Sequence, residues 1–457
     1  MSNKRQLTTA SIPYALSSLA FPMLFGIMSI FSVSMADTYF VSKLGKDALA
    51  AISFTFPVTL TVLSLSIGLS AGAASMVSRT LGRGDRDEAK VIATDAMLLA
   101  LAFVLFLSVL GYVLSEFLFD ALGAKGHILK MSVAYMEVWF LSMPFLTVPM
   151  VASGIIRASG DGFWPSLIMI LASLLNIVFT PMFIFGWGIV PDMHIEGAAW
   201  GTFVARGFSL LFALYLLLFR KKLLALSVRS YRHVKSAWLT IAKIGVPAAF
   251  GNATNPMGIT AVTAIIASLS HESVAAFGVA TRLEAFAVIP MLALSSAIGP
   301  VSGQNWGAQQ YGRVRSALTL SFSVCFVWAM FVSFIFFVFG DPLVSIFSSD
   351  QKISKEAQRY LYIVPLSVWG YGVVIIASGA FNALGHSLTG LMFYLIRTVV
   401  FYVPLSWFAS LYFKIDGVFY AIALSNVFAG LGVASLSLHY LKKLTKDVPA
   451  SSTTHLQ

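Results

Sequence analysis

Long apolar stretches separated by short polar connections run from one end of the chain to the other. Twelve of them reach the roughly 20 residues that an α-helix needs to cross a bilayer. They lie at 13–40, 48–78, 92–115, 131–156, 163–187, 195–219, 238–268, 273–302, 315–339, 358–381, 387–411 and 416–441. Several exceed the minimum, which allows tilt or extension beyond the membrane. The first is too long for the core of a signal peptide and carries Asp37, so it reads as a retained spanning helix. The pattern predicts an all-α polytopic membrane protein with 12 transmembrane helices.

Composition strengthens that picture. Apolar residues make up 58% of the 457 and charged residues 11%, where a soluble chain carries about a quarter charged. The net charge of +11 does not point to nucleic acid, because the basic residues sit in short connections between apolar runs. With the N-terminus inside, nineteen of the thirty lysines and arginines fall in inner loops and eight in outer ones; Arg206, Arg282 and Arg397 lie within helices. That excess places both termini in the cytoplasm of a cell with this protein in its inner membrane. The lone cysteine, Cys325, rules out an intrachain disulfide and a thiolate metal centre.

The longest basic connection follows the sixth helix, and an internal repeat flanks it. At an offset of 225, Asp47 matches Glu272, Gly82 matches Gly307, and the run at 153–160 matches that at 378–385. Ile195-Glu196-Gly197 matches Ile415-Asp416-Gly417 at an offset of 220. The division expected is an N-lobe over 1–222, a cytoplasmic linker over 223–237 and a C-lobe over 238–457. Each lobe holds six helices, so the two are related by a pseudo-twofold axis along the membrane normal.

Three segments carry a family resemblance. Ala36-Asp37-Thr38-Tyr39-Phe40-Val41 with Leu44 to Ala51 resembles the first-helix signature of the multidrug and toxic compound extrusion (MATE) family. Ala280 to Phe286 with Gly303 to Ala308 is similar to its eighth-helix pattern, and Gly154 to Gly160 to the end of its fourth helix. The resemblance implies two six-helix lobes in a V that export organic cations against entering H⁺ or Na⁺, and within the family the chain looks DinF-like. The NorM-like group has carboxylates in the seventh and tenth helices; here Asn252, Asn255 and Asn382 are found and no acid.

Asp37 is the foremost candidate site, since a charge inside a spanning helix is costly and functional by default. Partial burial favours the neutral acid and suits a proton switch, and the resemblance places the family's coupling aspartate here. Asn176 and Thr180 share a face of the fifth helix. The resemblance puts an asparagine and an aspartate at these positions, and Thr202 matches another residue of the same network. With Thr180 in place of an acid, one carboxylate among neutral oxygens suits H⁺ better than Na⁺, which stays open as the alternative. Ordinary interhelical hydrogen bonding is the other reading of the three neutral residues. Pro22 permits a kink in the first helix, and Gly26 could ease bending there.

Arg282 and Glu284 lie deep in the eighth helix, two apart, so each needs its own partner. They are read as a second-lobe polar network. Arg206 and Arg397 could snorkel or pair and receive no role. Some of the 38 phenylalanines and 17 methionines could line a cavity for flat hydrophobic cations. No phosphate-binding loop, zinc-helix signature or nucleophile elbow is found. The expectation is therefore a monomeric secondary antiporter rather than an enzyme, without cofactor or bound metal. A lipid-linked precursor flippase of the same superfamily is the rival; twelve spans and three intrahelical arginines argue against it.

Overall fold

The computed structural model describes residues 7–187, 190–225, 234–347 and 350–446, with side chains to 443. Those residues form α-helices joined by short turns. Ten stretches are apolar and long enough to cross a membrane. The first six are α1 (Ile12–Ser42), α2 (Lys46–Gly82), α3 (Arg86–Val113), α4 (Gly126–Ala158), α5 (Phe163–Phe185) and α6 (His194–Arg220). A seven-residue helix, Ser115–Ala121, sits between α3 and α4. Next comes α7 (Val234–Ala267), made more polar by Asn252, Thr254 and Asn255. Then follow α8 (His271–Gly307), α9 (Tyr311–Ser345) and α10 (Gln351–Leu384). The last stretch, Ser387–Lys443, is broken at Lys414, whose φ of 52° and ψ of −137° are not helical. It therefore forms two helices, α11 (387–413) and α12 (415–446). The protein is thus an all-α membrane protein of twelve spanning helices.

Local chemistry sets where the helices begin. Asp85 accepts from the Glu88 N–H at 2.9 Å, Ser270 from Ser273 at 3.2 Å, and Asp350 from Lys352 at 2.8 Å. Each of these oxygens satisfies an N–H that the first helical turn would leave bare. Outward-facing apolar side chains such as Phe106, Phe117, Phe334 and Phe337 suit lipid, not water.

The chain divides into two compact units. One comprises Phe21–Leu81 and Asp85–Ala249, with a core that includes Met97, Met136, Trp139, Met143 and Ile156. The other comprises Phe250–Gln457 with Met1–Ala20 and Gly82–Gly84, with a core around Phe277, Met291, Tyr360, Phe381 and Phe419. The start of α1 thus belongs with the second unit: Arg313 donates to the carbonyls of Leu7 (3.2 Å) and Ala10, and Asn305 donates to that of Leu7 (3.1 Å). The start of α7 belongs with the first, where Trp238 Nε1 donates to the Asp95 carbonyl at 3.0 Å. The connection 223–237 lies mostly outside the described residues, as do Arg229 and Arg232.

The internal repeat is written into the backbone and its bonds. Left-handed φ angles recur at Gly160 (88°) and Gly385 (89°), at Gly84 (87°) and Gln309 (59°), and at His194 (49°) and Lys414 (52°). Ser70 Oγ donates to the Met150 carbonyl at 2.9 Å, and Ser295 Oγ to that of Ile375 at 3.2 Å. Beside them, a Cβ on Gly154 would lie 2.4 Å from Ser70 Oγ, and one on Gly379 2.8 Å from Ser295 Oγ. A Cβ at either position would have to displace the serine hydroxyl that makes the matched bond.

One helix departs from the sequence expectation. The tenth segment, expected at 358–381, begins at Gln351 and is interrupted by a 3₁₀ turn at Pro365–Ser367. Pro365 has no N–H to give to the helix, so the chain tightens there and restarts at Val368.

Candidate functional site

In the first unit, α1, α4, α5 and α6 bring a set of polar side chains together. Asp37 stands five residues before the end of α1 and is half-buried. Its Oδ1 is enclosed with no hydrogen-bond partner among the described residues. Thr180 of α5 faces the carboxyl, and the charge of Arg206 reaches it. Thr180 Oγ1 donates to Asn176 Oδ1 at 3.2 Å, and Asn176 Nδ2 donates to Thr202 Oγ1 of α6 at 3.0 Å. Thr202 in turn donates to the Ala198 carbonyl at 2.9 Å. A hydroxyl has one hydrogen, and Thr180 has given its own to Asn176. Its lone pairs are left to accept from Asp37.

The structure thus unites Asp37, Asn176, Thr180 and Thr202, as the sequence suggested. It adds members that the sequence reading left out. Arg206 does not snorkel; Nη1 donates to Ser142 Oγ at 2.9 Å, and the guanidinium lies over the Trp139 ring, 5.5 Å from its centroid. Tyr135 lies within electrostatic range of both Asp37 and Arg206. Tyr135, Trp139 and Ser142 fall on one stripe of α4 at helical spacing. Arg206 was signalled by its place one turn beyond Thr202 in an apolar helix; Tyr135 had no such mark.

Pro22 and Gly26 both meet α5. Ser166 Oγ donates to the Pro22 carbonyl, and a Cβ on Gly26 would lie 3.0 Å from Met169 Sδ. The boundary between the two units crosses α1 at Ala20 and Phe21, immediately before Pro22.

In the second unit Arg282 and Glu284, read from the sequence as members of one polar network with separate partners, face different surroundings. Arg282 is exposed and stands outside the buried network, while Glu284 enters it. On a helix, residues two apart point about 200° apart, so only one can face inward. Tyr360 of α10 donates its hydroxyl hydrogen to Glu284 Oε2. Arg397 of α11, given no role from the sequence, is 5% exposed and bonded to Asn255 and Asn426. No group of three or more His, Cys, Asp or Glu able to hold a metal occurs among the described residues.

Comparison with known proteins matches residues 22–182 and 247–408 to the model of the MatE family. The chain is 36% identical to a FAD transporter of Shewanella oneidensis over 94% of this chain and 95% of that one. It is 25% identical to the multidrug export protein MepA of Staphylococcus aureus, over 95% of each chain. It superposes on the Vibrio cholerae MATE transporter VcmN in its bent form with a TM-score of 0.90 and 25% identity, covering 96% of this chain and 99% of that one.

Proposed function

Because this chain belongs to the MatE family, whose relatives here are transporters and not enzymes, we propose that it exports an organic solute in exchange for an entering proton carried by Asp37. The observation that supports this reading most is the arrangement around Thr180. A protonated Asp37 donates to Thr180 and leaves the Thr180–Asn176 bond intact. Once Asp37 loses its proton, the carboxylate calls for the Thr180 hydrogen, and Asn176 must release it. The charge state of one group is thereby coupled to the Thr180–Asn176 bond within α5, and Asn176 is the residue whose amide reaches Thr202 of α6. One carboxylate among neutral oxygens fits H⁺ better than Na⁺, which gains from more negative ligands. The protein works, in this reading, as a monomer in the inner membrane with both termini cytoplasmic.

Pro22 is the hinge in this reading. The helix segment ahead of it belongs to one unit and the segment bearing Asp37 to the other. Bending at Pro22, met by Ser166 and eased at Gly26, would pass the change at Asp37 along α1.

The solute, in this reading, is a flavin dinucleotide, as for the Shewanella oneidensis relative. The likeness to MepA favours a second class, organic cations. Membrane potential separates the two. A charge crossing 100 mV exchanges about 2.3 kcal/mol. One proton entering against one monovalent cation leaving moves no net charge. One proton entering as a dianionic dinucleotide leaves moves three charges in the favourable direction, or about 7 kcal/mol at that potential.

The test is transport in proteoliposomes under imposed gradients of pH, Na⁺ or potential, with FAD and a fluorescent organic cation as solutes. Export should follow the pH gradient and be lost in Asp37→Asn. Export that follows Na⁺ and ignores pH would overturn the choice of ion, and an active Asp37→Asn would move coupling elsewhere. FAD export should quicken at inside-negative potential; cation export without FAD export would select the second class.

A further inference from the structure

Arg397 is a buried cation whose hydrogen-bond partners are all uncharged. Nε donates to Asn426 Oδ1 at 2.9 Å and Nη1 to Asn255 Oδ1 at 3.0 Å. Asn426 is held in that orientation because its Nδ2 donates to Ser367 Oγ at 3.1 Å. These bonds engage two of the five guanidinium N–H donors. The guanidinium lies against two aromatic faces, 4.0 Å from the Tyr371 centroid and 4.9 Å from that of Tyr402. Glu284 is within electrostatic range, but it takes its hydrogen bond from Tyr360.

The backbone around this group is built in an unusual way. Arg397 and Tyr402 belong to a π-helical stretch, Ile396–Tyr402, within α11. Ser367 belongs to the 3₁₀ turn that interrupts α10. Two departures from α-helix thus converge on one side chain. Such departures give up regular hydrogen bonds and gather at functional positions. A buried arginine is costly in a membrane protein unless something compensates it.

We propose that Arg397 is the binding site for the diphosphate of the exported solute, with Asn255 and Tyr371 beside it. This rests on the dinucleotide reading given above. The guanidinium fork matches two phosphate oxygens in plane, and the unengaged N–H groups are free to meet them. Asn255, Tyr371 and Glu284 are half-buried and Arg397 is buried; in this proposal the ligand reaches the fork by displacing Asn255 from Nη1. An organic cation would find both tyrosine faces already occupied by positive charge and would be repelled. The fork therefore favours an anion over a cation while Glu284 is held by Tyr360, and it lies in the opposite half of the sequence from Asp37.

The test uses the purified full-length chain with inorganic diphosphate as the probe, read by the shift in melting temperature. Diphosphate should stabilise the wild type saturably. Arg397→Gln should weaken the apparent affinity by tenfold or more, about 1.4 kcal/mol. Arg397→Lys, which keeps the charge and loses the fork, should fall between. The melting curve of each unliganded variant reports whether it has folded. Stabilisation of Arg397→Gln equal to that of wild type, or none of wild type, would overturn the site. FAD transport in proteoliposomes then separates the two readings. If wild type moves no FAD while diphosphate binding still depends on Arg397, the solute assignment fails and the anion site stands. If wild type moves FAD and Arg397→Gln does so at unchanged KM, the site is refuted.

Discussion

Asn176 Nδ2 donates to Thr202 Oγ1 at 3.0 Å, tying the middle of α5 to α6. This bond fixes which way the Asn176 amide faces, so its Oδ1 is the atom presented to Thr180. The Thr180 hydroxyl is therefore the one member of the chain free to turn between Asn176 and Asp37. Thr180→Val keeps the shape and removes that choice. The variant should lose most of its pH-driven export, with a melting temperature that reflects only one lost hydrogen bond, about 1 kcal/mol. Wild-type export by Thr180→Val in proteoliposomes would show that the hydroxyl is structural.

Pro22→Ala restores an N–H to α1 and stiffens it. If bending there carries the change at Asp37, export should fall several-fold while the protein melts at the same temperature or higher. Unchanged export rates in the variant would remove Pro22 as a hinge.

The matched hydrogen bonds of Ser70 and Ser295 make a prediction about symmetry. Each hydroxyl reaches a carbonyl eighty residues on, in α4 and α10 respectively. Ser70→Ala and Ser295→Ala should each destabilise by about 1 kcal/mol, and by amounts that agree. The two melting temperatures, measured side by side, check this. A large cost in one half and none in the other would mean that the bond matters to only one of them.

Asp161 tests the junction of the start of α5 with the end of α6. It is 6% exposed, its Oδ1 accepts from the Phe163 N–H at 3.0 Å, and its Oδ2 meets Lys221 Nζ. Removing the acid strands a partly buried ammonium and uncaps α5. Asp161→Ala should cost about 3 kcal/mol, and Asp161→Asn, which retains the cap, clearly less. Equal melting temperatures for the two variants would place the whole effect in the charge.

The sequence disclosed the spanning helices because lipid leaves a one-dimensional signature: α5 was expected from 163 and starts at Phe163, α11 from 387 and starts at Ser387. It disclosed Asp37, Asn176 and Thr180 because polar groups stand out in such runs. What it could not give is rotation about the helix axis. Arg282 and Glu284 looked equivalent until the structure turned one out and the other in. Tyr135 looked like one of many aromatics, since its role depends on which face α4 turns to α1 and α6. Pro365 was visible as a letter, yet its effect was lost inside a helix assumed continuous.

The left-handed residues hold a record of descent. The offset between matched positions is 225 at Gly84 and Gln309 and again at Gly160 and Gly385, but 220 at His194 and Lys414. Copies of one ancestral gene segment that diverged by substitution alone would keep a single offset throughout. The stretch from Gly160 to His194 is five residues longer than that from Gly385 to Lys414, with α5 shorter than α11 and the connection after it longer. From Gly84 to Gly160 neither copy has gained or lost a net residue relative to the other. An inserted tag or label should accordingly be borne in the connection before His194, where length has already drifted, and resisted at the single-residue turn of Lys414.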